Sequence, residues 1–152
     1  MMNYIPAVLY VIALLLGLTG VTVPGAAASL TPLAQWMLLV SLGLNRLWAF
    51  VGHVFAAEPV ARSIGWSTSP FQFEVGVANL GIGVSAIAAV WLGRAAGWAV
   101  FLMSACFLWG ATCGHVREMI EKRNFAINNA GPIFWWDILT PLTLLIALVF
   151  AV

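Results

Sequence analysis

Residues 70–92 read PFQFEVGVANLGIGVSAIAAVWL, a run with one charge, Glu74, among mostly apolar and small residues. About 20 such residues cross the hydrocarbon core of a bilayer. Lipid offers the backbone no hydrogen-bond partner, so a run of this kind must be helical. Outward from it, four more apolar runs follow the same pattern, at 4–23, 31–57, 95–116 and 132–152. The expected fold is all-α: a single domain, residues 1–152, built as a bundle of five transmembrane helices. Composition agrees. Of the 152 residues 63% are hydrophobic and 7% charged, against roughly 25% charged in a soluble domain. Mean hydropathy is +1.04. With so few charges the chain cannot cover a water-facing surface, so membrane lipid is its expected partner. A net charge of +1 with six Lys and Arg makes no basic stripe, which excludes nucleic acid.

The first run, Tyr4–Val23, is followed by Pro24-Gly25-Ala26-Ala27-Ala28-Ser29, which could pass for a leader cleavage region. No Lys or Arg precedes it, so it reads as a helix of the mature protein. Helix starts are marked at Thr31-Pro32, at Gly131-Pro132 and at Ser69-Pro70-Phe71-Gln72, where Ser69 and Gln72 fit a capping box. Glu58–Ser69 and Arg117–Gly131 read as polar loops. With five spans these loops share one side with the N-terminus. That side carries Arg62, Arg117, Lys122 and Arg123, and the other only Arg94. The positive-inside rule then places the N-terminus in the cytoplasm and the C-terminus outside, as in a bacterial inner-membrane protein. Trp36, Trp91 and Trp98 are expected near one interface and Trp66, Trp135 and Trp136 near the other.

Cys106 and Cys113 lie seven apart in one run, too far for a disulfide within that helix, and read as small buried residues. Gly110 and Gly114 form a GxxxG, and Gly81, Ser85 and Ala89 a second small-residue row. Either row suits close helix packing. Packing inside the bundle is the favoured use, and a homo-oligomer or larger membrane complex the other.

The ionisable residues gather toward the expected cytoplasmic side. His53, Glu74, His115 and Asp137 are the candidate catalytic residues, because carboxylates and histidines at membrane depth are costly without a partner or a task. Each acid has a plainer reading, as a group stabilised by its own helix end. Arg46, the deepest charge, should point into the bundle, with Glu74 the first partner to name. Arg46, Asn79, Trp66, Asn128 and Asn129 are candidate ligand contacts. His53, Glu74, His115 and Glu118 are a candidate metal set, although Glu118 also fits an ordinary pair with Lys122. A metal ion or a quinone is the cofactor to consider. Haem held by His53 and His115 comes after them. The loops around Gly65-Trp66 and Asn128-Asn129 are placed to cover this cluster.

Gly52-His53, Ile64-Gly65-Trp66, Ser69-Pro70-Phe71-Gln72 with Glu74, Gly114-His115, Asn124-Phe125, Asn129-Ala130-Gly131-Pro132 and Asp137 resemble an uncharacterised family of small multi-pass membrane proteins, over about Asn45 to Pro141. That resemblance carries no established activity. More distantly, Glu74 followed by Gly76, Ala78, Asn79 and Gly81 is similar to DoxX-like membrane proteins, four-helix bundles of which some are linked to quinone or thiol redox systems. This chain has an additional N-terminal run and no redox-active cysteine pair. The expected function is a polar His/carboxylate site near the cytoplasmic interface that binds a metal or a small lipidic or quinone-like ligand. Acid-base or redox chemistry could follow, but no residue stands out as a nucleophile. The alternatives are a non-catalytic subunit or assembly factor whose polar cluster is structural, and a small transporter.

Overall fold

The computed structural model describes residues 4–150 and is helical throughout its regular elements. In chain order these are α1 (Ile5–Leu18), α2 (Pro32–Phe55), α3 (Ala57–Ile64), α4 (Phe71–Leu92), α5 (Arg94–Lys122), α6 (Ile127–Ala130) and α7 (Pro132–Val149). Four helical stretches are long and apolar enough to cross a membrane: α2, α4, α5 and the run Ile127–Val149. Much of the surface is apolar, with Phe55, Leu92 and Ile120 each 74% exposed. Such a belt fits contact with lipid.

Several expected boundaries move. The first apolar run is helical only to Leu18, and α1 has 14 residues. At a rise of 1.5 Å per residue it is about 21 Å long. It still runs along most of the bundle: Pro6 borders the polar cavity described below, Tyr10 Oη pairs with Thr143 Oγ1 at 2.8 Å, and Gly17 lies against Leu33. Residues 58–64, expected as loop, are helical within α3. The fourth run continues as helix to Lys122, because Arg117–Glu121 and Lys122–Glu118 pair one turn apart at 2.9 and 2.7 Å. Residues 151 and 152, the end of the fifth expected run, lie outside the described residues.

Thr31 caps α2 as expected, its Oγ1 accepting from Ala34 N at 3.1 Å. The capping box at Ser69 does not form: Pro70 is the N-cap of α4, and Gln72 Nε2 donates instead to Ala57 O at 2.7 Å. Gly93 alone joins α4 to α5. Its φ of +92° suits glycine, and a Cβ there would come within 2.8 Å of Ser29 Oγ.

Within α2, Met37–Leu44 is a π-helix between two α-helical segments. The wider winding changes which residues face inward, and the consecutive residues Ser41, Leu42 and Gly43, then Asn45 and Arg46, are all buried. Nothing in the apolar pattern announces this change.

The core is layered. Its apolar part includes Met37, Leu38, Leu42, Ala86, Val90, Leu108, Leu144 and Leu148. Apolar burial drives helix association weakly in lipid, so close packing and polar ties between helices carry more weight. At one end buried Gln35 accepts from Val23 N at 2.9 Å and donates to Leu30 O at 3.0 Å, which pins the 19–31 connection. Halfway, Ser41 Oγ and Thr140 Oγ1 meet at 2.9 Å, and Trp136 Nε1 donates to Ser41 Oγ at 3.3 Å. Trp136 is 2% exposed and so belongs to the core, not to an interface belt.

The small-residue rows also differ from expectation. A Cβ at Gly81, Gly110 or Gly114 would meet nothing within 4 Å, and Cys106 and Cys113 are exposed. These residues face outward. Ala89 of the expected row is buried, and Gly76, Gly83 and Ala86, outside that row, are buried with it. A Cβ on Gly76 would sit 2.6 Å from Val54 Cγ2, so α2 and α4 approach closely only because Gly76 has none.

Candidate functional site

Arg46 leaves α2 immediately after the π-helical segment and points into the bundle. Its Nη1 donates to Asn79 Oδ1 of α4 at 2.7 Å. Its Nη2 lies 3.8 Å from Asp137 Oδ1 of α7. The guanidinium carbon sits 4.2 Å above the Trp136 ring. A cation over an indole face gains from the ring quadrupole, most where water is excluded. Asn79 Nδ2 is in turn held by Val75 O at 2.8 Å. One side chain thus ties three helices.

The expected partner of Arg46 was Glu74, and the structure gives it Asp137 instead. Glu74 is exposed on the first turn of α4 and does not border the cavity. The buried residues Gly76, Asn79, Gly83 and Ala86 define the inner face of α4, and Glu74 lies roughly 140° around the helix from Asn79. The replacement Glu74→Gln is therefore expected to change stability by no more than about 0.5 kcal/mol, as at other outward positions. Thermal unfolding in detergent checks this, and a large loss would place Glu74 back in the network.

Asp137 also faces His115 of α5, with Oδ2 3.8 Å from Nε2. His115 is held from its other side, where Nδ1 lies 2.7 Å from Asn129 Oδ1. Asn129 Nδ2 donates to Asn124 O at 2.8 Å and to His115 O at 3.4 Å. Those two carbonyls fix the amide orientation, so Oδ1 is the atom that faces the imidazole and must accept. His115 Nδ1 therefore carries a hydrogen, and Nε2 is the nitrogen turned to Asp137. Trp66 stacks on the ring at 5.8 Å between centroids.

Two short segments close over this end. Asn124 Nδ2 donates to Ile64 O at 2.9 Å, and Asn128 Nδ2 to Ser63 Oγ at 2.8 Å. The expected cover of the cluster by the Gly65-Trp66 and Asn128-Asn129 segments takes the form of cross-ties from α3 to Asn124 and to Asn128 of α6.

Below the cover lies a cavity of about 560 Å³. Its walls are largely apolar, from Trp48, Val51, Val60, Phe107, Leu108 and Ile133 among others. Its polar lining comprises Asn45, Arg46, His53, Ser63, Asn79, His115, Asn128 and Asp137. Asn45 was not among the residues singled out from sequence. It adjoins Arg46 but was read only as its neighbour, because the π-helical turn that buries both is not visible in the hydropathy pattern. Asn45 Nδ2, Arg46 Nε and His53 Nδ1, all on lining residues, are buried without a hydrogen-bond partner.

The metal set is not assembled. Glu74 faces outward, and Glu118 is held by Lys122 at 2.7 Å. Among the described residues no three His, Cys, Asp or Glu side chains are grouped to hold a metal ion.

An all-helical chain with four membrane-length apolar helices and an apolar surface is compatible with an integral membrane protein. It belongs to the family of unknown function DUF6790, which matches residues 3–152. No curated protein and no solved structure matches the chain.

Proposed function

We propose that this protein binds a small lipidic or quinone-like ligand in the cavity between α2, α4, α5 and α7, with Arg46 and Asn79 as polar anchors and His115 and Asp137 as an acid-base pair. The observation that carries the reading is a 560 Å³ cavity with mostly apolar walls on which Arg46, Asp137 and His115 converge. That volume lies in the range of small-molecule sites, which are typically apolar with a few placed polar groups. His115 Nε2 and Asp137 Oδ2 face each other across 3.8 Å, too far for a direct hydrogen bond and within reach of a ligand group placed between them. The reading takes a lipidic molecule over a metal ion because Glu74 and Glu118 of the expected metal set do not border the cavity.

In this reading α1 is a fifth, short span, and the end carrying Arg62, Arg117, Lys122 and Arg123 is cytoplasmic in a bacterial inner membrane. The course of α1 from Pro6 at the cavity to Gly17 against Leu33 supports the fifth crossing. Self-association through the outward glycines Gly81, Gly110 and Gly114 belongs to the same proposal, supported by the open space beside them. Kinship with DoxX-like proteins receives less support, because Glu74 lies outside the site.

A second reading is favoured by one observation: Arg46 links α2 to α4 and α7, as a purely structural clasp in a membrane subunit or assembly factor would. Solvent extraction of the purified protein, followed by mass spectrometry, separates the two. The wild-type chain is expected to carry a low-mass lipidic compound that is lost when Ala111, on the cavity wall, is replaced by Phe. Identical extracts from wild type and Ala111→Phe would leave the clasp as the better reading.

A further inference from the structure

Two polar atoms without a hydrogen-bond partner come from adjacent residues of α2 in the cavity wall. Asn45 Nδ2 and Arg46 Nε can only donate, and the two residues are 1% and 7% exposed. His53 Nδ1 joins them and can take either role. Of the acceptors nearby, Asn79 Oδ1 is taken by Arg46 at 2.7 Å, and the Asp137 carboxylate stands 3.8 Å from both Arg46 and His115. A buried donor without an acceptor costs roughly 1–3 kcal/mol, so two in adjacent residues form a standing demand for acceptor oxygens. Charge narrows the demand. Arg46 already faces the Asp137 carboxylate at 3.8 Å, and a second anion would leave the cavity with an uncompensated negative charge.

From this, and resting on the ligand-binding reading above, we infer that the head of the ligand is a neutral group bearing carbonyl-type acceptor oxygens, received by the Asn45 amide and the Arg46 guanidinium, while its apolar body lies along the Val51, Phe107 and Leu108 walls. A cationic head would meet Arg46. A head with donors alone would meet donors.

The test uses the full chain in detergent and four probes with the same ten-carbon tail: decyl-benzoquinone, decylbenzene, decanoate and decylamine. Apparent affinity is read from the dose dependence of the unfolding midpoint, since a ligand that binds only the folded state raises it. Decyl-benzoquinone is expected to bind at least 10-fold more tightly than each of the others. The variant Asn45→Leu keeps the shape of the side chain and removes the donor. It is expected to lose roughly 3- to 10-fold in affinity for decyl-benzoquinone, the worth of one hydrogen bond, and to bind decylbenzene as well as the wild type does. Equal binding of decyl-benzoquinone and decylbenzene would overturn the assignment of the head while keeping the cavity as a lipidic site. Tighter binding of decanoate or decylamine would overturn it too. Failure of all four to shift the midpoint would remove the ligand-binding reading itself, and this inference with it.

Discussion

Replacing Arg46 by Met is expected to destabilise the folded protein by about 3–5 kcal/mol, the typical cost of removing one partner of a buried charged pair. Asp137 is 3% exposed and would keep a carboxylate with no cation beside it. Asn79 Oδ1 would lose its 2.7 Å donor, and Trp136 the cation over its ring. Methionine fills much of the arginine stem, so the loss reports charge and hydrogen bonding more than volume. The double replacement Arg46→Met with Asp137→Leu is expected to recover a large part of it, because a buried pair exchanged for apolar side chains of similar size is often neutral in stability. Chemical unfolding in detergent measures each variant, and the cycle isolates the coupling. A double variant no more stable than Arg46→Met would show that Arg46 and Asp137 act separately.

The second large effect is expected at Asn129, which is wholly buried. Asn129→Leu removes the acceptor of His115 Nδ1 and the donor to Asn124 O. Two groups left unpaired at roughly 1–3 kcal/mol each predict a loss of about 2–5 kcal/mol. Asn129→Asp keeps an oxygen for His115 but turns a second carboxylate oxygen to the Asn124 and His115 carbonyls at a fully buried site, so it is expected to lose at least as much. The His115 imidazole resonances add a readout that a simple packing defect would not move. In Asn129→Asp the Nδ1–H tautomer persists, and in Asn129→Leu the constraint on it is gone. Asn129→Leu as stable as the wild type would mean that these hydrogen bonds contribute nothing.

The sequence carried the class of fold well because the apolar runs are long and a bilayer leaves the backbone no alternative to helix. It carried the site partly. His53, His115, Asp137, Arg46, Asn79, Trp66 and Asn128 all border one cavity, and Asn129 braces His115 from behind. Trp66, Asn128 and Asn129 were reached by asking which loops cover the cluster, and Arg46, His53, Asn79, His115 and Asp137 by asking where a polar group in or at the edge of an apolar run would go. Glu74 was misplaced by the same question, because its depth was considered and its angle was not. Residues 76, 79, 83 and 86, spaced three and four apart, mark the inner face of α4, so that angle was available from the spacing. The spacing of Gly110 and Gly114 misled for a different reason: it specifies a surface suited to close approach without saying whether the approaching helix belongs to the same chain. Asn45 could not be found this way. Its burial beside Arg46 depends on the winding of residues 37–44, which composition does not determine.

That winding has a consequence for the membrane itself. Every residue of α2 beyond Leu44 takes its compass bearing from the π-helical turns before it. Rewound as an ordinary α-helix, the segment from 37 to 44 would swing Asn45, Arg46 and His53 round the axis together, from the protein interior toward the acyl chains. A guanidinium cannot be turned to hydrocarbon without a cost of several kcal/mol, so the charge and the winding hold each other in place. The arginine acts as a keel: it tells an otherwise greasy helix which way to face.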